Sequence, residues 1–119
     1  MRHLKKTKKF KRTEEERKRL KIDLSTALIK QKRIVTFTAR AKWFRPFFER
    51  LVTLCKRNMD DIQAAYRAVR PFLSEEAARI LIEKIVPKLQ DRPGGYTKQF
   101  KLMSKFNATH DKSIVMISE

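Results

Sequence analysis

An α/β fold of the α+β kind, with about four helices packed on a small three-stranded sheet behind an extended basic N-terminal arm, is predicted by three features of this sequence. Four stretches repeat apolar residues at spacings of three and four, and three of them open on a capping residue: Thr13, Asp60 or Asp61, and Ser74. Two short β-branched runs and one alternating run supply strands. Seven of the first twelve residues are Lys or Arg, with no acid before Glu14, so that segment has almost nothing to bury.

Thr13 followed by Glu14, Glu15 and Glu16 is a capping box at the positive end of a helix dipole, so the first helix starts near residue 14. Leu20, Leu24, Ala27 and Leu28 define its inward face, and Arg17, Lys18, Lys21, Lys30 and Lys32 extend a basic stripe around the rest. Ile34 to Thr38 reads as a brief strand closed by a capping Thr. From Ala39 to about Arg57, Phe44, Phe47, Phe48, Leu51 and Cys55 mark a second helix, which Pro46 should kink or restart. The third helix carries Ile62, Ala65, Tyr66 and Val69 and stops before Pro71. Ser74, Glu75 and Glu76 open the fourth, whose Ala78, Leu81, Ile82 and Ile85 face inward and which Pro87 closes or kinks.

The chain's two glycines stand together in Asp91-Arg92-Pro93-Gly94-Gly95-Tyr96-Thr97. A loop that concentrates them is expected to hold a backbone geometry that a Cβ cannot share. Phe100, Leu102 and Phe106 then share one parity with Lys98, and Lys101 and Lys105 take the other, which predicts a strand with a wet basic face. Residues 107–112 connect it to a last strand at 113–118. The expected organisation is a basic arm at 1–12 and a single globular domain at 13–119.

The charge of +17 comes from 30 basic and 13 acidic residues. A solvated tail would need far less, since a net charge of about 2 to 8 keeps a small domain soluble. Residues 1–33 carry +10 (14 basic, 4 acidic) and residues 34–119 carry +7 (16 basic, 9 acidic), so the domain is basic as well as the arm. Nucleic acid is the natural counterweight, because Lys and Arg that replace condensed cations on phosphates release them.

Other classes fit poorly. The longest apolar run is the four residues Ile114 to Ile117, well short of a membrane span, and the arm has no apolar face to enter a headgroup layer. The single cysteine, Cys55, excludes an intrachain disulfide, reads as a small core hydrophobe and suits a reducing compartment such as the cytoplasm. His3, His110 and Cys55 cannot furnish a zinc site, and the glycine pair lacks the frame of a phosphate-binding loop, so no metal, cofactor or catalytic residue is expected. The acid clusters are helix starts, which leaves a nuclease without its carboxylates. A DNA-compacting protein is what the charge alone would also permit.

The order of the motifs resembles one family, the bacterial large-subunit ribosomal protein seventeen. The resemblance runs from Met1-Arg2-His3 and Arg12-Thr13 through Ala27-Leu28-Ile29-Lys30, Arg33-Ile34-Val35-Thr36 and Ala39-Arg40-Ala41-Lys42. It continues in Arg45-Pro46, Leu51-Val52-Thr53-Leu54 and Lys56-Arg57, and is most specific in the segment Asp91 to Thr97, followed by Lys101-Leu102. The matches are collinear over about nine-tenths of the chain. They imply a compact domain with a basic N-terminal segment, bound to large-subunit ribosomal RNA beside neighbouring ribosomal proteins where the nascent-chain tunnel opens, without enzymatic activity or self-association. On that basis Arg2, Lys5, Lys6, Lys8, Lys9, Lys11 and Arg12 are expected to meet phosphates from the arm, and Arg17, Arg33, Arg40, Arg92 and Lys98 from the domain. His3 is expected to stack on a base, and Phe10 either to do so or to staple onto the first helix.

Overall fold

The computed structural model describes residues 10–102 and 111–118. The first helix, α1 (Glu14–Gln31), begins on the expected capping box: the Glu16 amide donates to Thr13 Oγ1 at 3.2 Å, and the Thr13 amide donates back to Glu16 Oε1 at 3.5 Å. Only its second half is buried, through Ser25, Leu28 and Ile29. Lys32, in the left-handed region (φ 66°), turns the chain into β1 (Arg33–Phe37).

The long helix α2 (Thr38–Arg57) starts one residue earlier than expected, and Thr38 does not cap it. Its hydroxyl instead bonds across to Asp111 Oδ1 (3.1 Å) and Ser113 Oγ (2.7 Å). Pro46 lies inside α2 without restarting it. The carbonyl that loses its donor belongs to Lys42, and both residues are on the solvent side, while buried Phe44, Phe48, Leu51, Val52 and Cys55 hold the opposite side against the core.

Asp61 caps α3 (Ile62–Val69), accepting from the amides of Gln63 and Ala64. Ser74 caps α4 (Glu75–Ile80) through the Ala77 amide. The chain then widens into a π turn at Leu81–Ile85 and tightens into a 3-10 turn at Val86–Leu89. Pro87 explains the change of pitch. In a continuing α-helix its ring would press on the carbonyl of Glu83, and the altered turns relieve that contact while keeping Leu81, Ile82, Ile85, Val86 and Leu89 inside.

The strands β2 (Thr97–Lys101) and β3 (Lys112–Ile117) complete an antiparallel sheet of order β1-β3-β2. Helix α2 lies on its inner face and also packs against α1 and α3, so the core is built around α2. Cys55 is fully buried there, and burial pushes its thiol up to about 12, as fits a packing residue rather than a nucleophile.

The parity expected for β2 is reversed. Thr97 is buried and Gln99 half-buried, whereas Phe100 and Leu102 are exposed. Pairing sets this outcome: β3 turns Ser113, Val115 and Ile117 inward, and Gln99 lies in register with Val115 and Thr97 with Ile117. Arg45 then fastens the parity from α2. Its Nε donates to Thr97 Oγ1 (2.9 Å), one Nη to the Thr97 carbonyl (3.0 Å) and the other to Gln99 Oε1 (3.2 Å). Phe106 and residues 107–110, expected to continue the strand and form the connection, lie outside the described residues.

Candidate nucleic-acid interface

The expected contact residues divide among three places, and six of them (Arg2, His3, Lys5, Lys6, Lys8 and Lys9) lie outside the described residues.

The first place is where the chain enters α1. Phe10 and Lys11 both take positive φ (52° and 55°), and Phe10 meets Trp43 of α2 edge to face at 5.1 Å. Phe10 thus finds its ring partner on the second helix. Arg17 turns back to donate to the Arg12 carbonyl at 2.6 Å. Beside this turn, Lys21 Nζ stands 4.9 Å from the centre of the Trp43 ring and 5.8 Å from that of Phe47. Burial chiefly, and then the charges of Arg50 and Arg17, push its ammonium below the ordinary lysine value. Lys21 is thus the cation held against this aromatic corner. Along the rest of α1 the basic stripe is partly matched by acids, as in Lys18 with Glu14 (3.9 Å) and Lys30 with Glu76 of α4 (3.6 Å).

The second place is the outer face of the sheet. Arg33 on β1 and Lys98 on β2 are both in register with Met116 of β3, so the two cations flank one residue. At the other end of β1, Arg40 in the first turn of α2 holds its guanidinium 5.4 Å from the Phe37 ring centre. Lys112 Nζ lies 5.7 Å from the same ring.

The third is the glycine-containing loop. Lys56 donates to the Arg92 carbonyl and, at 3.1 Å, to Tyr96 Oη, and its ammonium sits 4.9 Å from the Tyr96 ring centre. Tyr96 Oη also donates to the Arg92 carbonyl at 3.3 Å. Glu49 secures the far end, accepting from the Tyr96 amide (3.0 Å) and from Thr97 Oγ1 (3.2 Å). Between this loop and α2 runs a groove of about 490 Å³ with Arg50 and Arg57 on one wall and Pro93 and Gly94 on the other. Apart from the glycine itself and its immediate chain neighbours, no heavy atom lies within 4 Å of where a Cβ would stand at either position. The demand expected of the pair is therefore confined, within this chain, to the φ of +64° at Gly95.

Arg33 and Lys98 are thus brought together, Arg40 stands at the opposite end of β1 beside Phe37, Arg12 and Arg17 form a second group, and Arg92 stands apart with its backbone engaged. Sequence reasoning gave Lys21 only as part of a stripe and assigned no role to Arg50 or Lys112. Lys112 could have been found from its parity with Ile114 and Met116 once the β1–β3 register was known. Among the described residues no cluster of three or more His, Cys, Asp or Glu side chains could hold a metal ion, and no helix is long and apolar enough to cross a membrane.

Comparison with known proteins adds a family to this geometry. Residues 20–118 match the family described as Ribosomal protein L17. Among similar proteins, the large ribosomal subunit protein bL17 of Methylacidiphilum infernorum is 39% identical over 107 residues, covering 90% of this chain and 80% of that one. Its counterpart from Persephonella marina is 43% identical, covering 86% and 82%. That of Syntrophotalea carbinolica is 32% identical over all 119 residues and 76% of its own length. A family match across most of the described helices and all three strands, with relatives this similar at such coverage, has one consequence: the chain belongs to the ribosomal protein L17 family.

Proposed function

We propose that this protein, a structural constituent of the ribosome and not an enzyme, binds and stabilises large-subunit ribosomal RNA near the nascent-chain tunnel exit, among neighbouring large-subunit proteins in the cytoplasm. Phosphate contacts come from Arg2, Lys5, Lys6, Lys8, Lys9, Lys11 and Arg12 at the N-terminus and from Arg17, Arg33, Arg40, Arg92 and Lys98 in the folded body, with His3 stacking on a base. The tunnel-exit location follows from the family resemblance. The RNA partner is supported by one observation above all: strand pairing sets Arg33 and Lys98 on either side of Met116 on the exposed face of the sheet, in a chain whose net charge is +17. Like charges held together on one face cost free energy in the isolated protein, and a phosphate placed among them turns that cost into attraction.

The full-length protein should co-sediment with large ribosomal subunits in sucrose gradients and prefer structured large-subunit RNA to duplex DNA of equal length at about 150 mM salt, because 2′-hydroxyls and A-form shape distinguish the two. Deleting residues 2–12 removes seven cations. The slope of log affinity against log salt should then shrink by roughly 5 to 6 units, at about 0.7 to 0.9 per phosphate contact. Equal affinity for RNA and DNA, with no enrichment in large-subunit fractions, would replace this function with DNA compaction.

A further inference from the structure

Five large apolar side chains among the described residues are exposed, and four of them, Val35 (57%), Phe37 (40%), Phe100 (52%) and Leu102 (38%), stand on the outer face of the sheet. The pairing arranges this face in rows. Val35, Ile114 and Phe100 lie directly across from one another and form an apolar centre. On one side of it runs the row Arg33, Met116, Lys98. On the other side Phe37 pairs with Lys112, whose carbonyl accepts from the Leu102 amide at 2.8 Å. A sheet face left to water ordinarily carries polar residues. This one carries two phenyl rings and three aliphatic side chains, with cations at three of its borders and no acid at any position.

We propose that this face is a stacking platform for unpaired RNA bases, with Phe37 and Phe100 as the ring surfaces and Arg33, Lys98, Lys112 and Arg40 as the phosphate partners. The inference rests on the RNA-binding function proposed above and deepens it from charge neutralisation to contact with splayed bases. Charge complementarity selects the occupant. A second copy of the chain would bring another +17 against the same basic border. A single strand of RNA instead offers apolar base faces beside a run of negative charge, and its bases stack on aromatic side chains without needing a sequence code. Phe37 and Phe100 sit two strands and one row apart, roughly 12 Å between their backbones from the spacings of a sheet, so each takes its own base. Arg40 and Lys112, both within 6 Å of the Phe37 ring, place positive charge where the phosphate of a base stacked there would lie.

The test uses the full chain and an unstructured 12-nucleotide RNA followed by fluorescence anisotropy, with a 12-base-pair RNA duplex in parallel. Phe37→Leu and Phe100→Leu keep apolar bulk on exposed positions and remove only the ring. Each should weaken single-strand binding at least about five-fold, leave duplex binding unchanged and leave the salt slope as it was. Arg33→Ala and Lys98→Ala should each lower that slope by about 0.7. Ile62→Ala, the fifth exposed apolar residue and off this face, should change neither affinity. If the Leu variants bind single strands as tightly as the parent while the parent binds both RNAs, the platform is wrong and the RNA-binding function stands. If the parent binds neither RNA at about 150 mM salt, both fall. A concentration-dependent dimer in sedimentation equilibrium that the Leu variants abolish would assign the face to a second copy and overturn the proposal.

Discussion

Gly94 and Gly95 are adjacent, exposed and chemically identical, yet only one adopts a conformation that asks for glycine. Gly95 lies at φ +64°, where a side chain crowds the following carbonyl, whereas Gly94 has an ordinary φ and open space on every side. Gly95→Ala should therefore cost about 1–2 kcal/mol, while Gly94→Ala should fall within about 0.5 kcal/mol of the parent, as surface substitutions away from special backbone geometry do. Urea denaturation of the two variants checks the order, and equal losses would show that crowding rather than φ governs the loop. Lys32 already sustains a φ of 66°, so the left-handed region is tolerated in this fold by a residue with a Cβ, at a cost that its amide's 2.7 Å bond to Leu28 helps to offset.

At the scale of the elements, what joins α2 to the sheet is polar as well as apolar. Arg45 and Glu49, one helical turn apart, meet Thr97 from two directions: Arg45 donates to its hydroxyl and carbonyl, and Glu49 accepts from that hydroxyl and from the Tyr96 amide. Glu49→Ala strands the Tyr96 amide in the interior beside a buried ring and should cost about 1–3 kcal/mol. Glu49→Gln, which retains an acceptor, should cost less, with both read from denaturation midpoints. A Gln variant as unstable as the Ala variant would mean that the charge, not the acceptor, holds the junction. This network also explains where sequence reasoning succeeded and where it stopped. Caps and helical spacing are local, so Thr13, Asp61 and Ser74 announced their helices, and Phe44, Phe48 and Leu51 their buried side. The facing of β2 is not local. An alternation of Lys98, Phe100 and Leu102 against Lys101 contains no sign of which set is inside, and the decision comes from β3 and from Arg45, far away in sequence. The same blindness hid the platform, since Phe37, Phe100 and Lys112 become neighbours only through pairing. The basic N-terminus, by contrast, was legible from composition alone.

For the whole molecule, two electrostatic effects oppose one another, and their sizes predict which prevails. Ion pairs such as Lys18–Glu14, Arg79–Glu75 and Lys101–Asp111 are exposed, at 3.5–3.9 Å, and added salt weakens them. Pairs of this kind contribute only about 0–1 kcal/mol each. Against them stands a net charge of +17 on 119 residues, whose mutual repulsion salt relieves. Repulsion involves every pair of cations closer than a Debye length, which is about 30 Å at 0.01 M and about 8 Å at 0.15 M, so at low salt it reaches across the molecule while the ion pairs remain few and local. The melting temperature should therefore rise as sodium chloride is raised from about 10 to 150 mM and level off beyond, once the Debye length falls to the spacing of neighbouring side chains. An RNA that binds only the folded state should raise it further, by about 2.7 kcal/mol of stability at a free concentration one hundred times its dissociation constant. Scanning calorimetry across the salt series, then with RNA at fixed salt, separates the two contributions. A melting temperature that falls steadily with salt would mean that local pairs outweigh the global repulsion, and it would remove the energetic reason for a polyanionic partner.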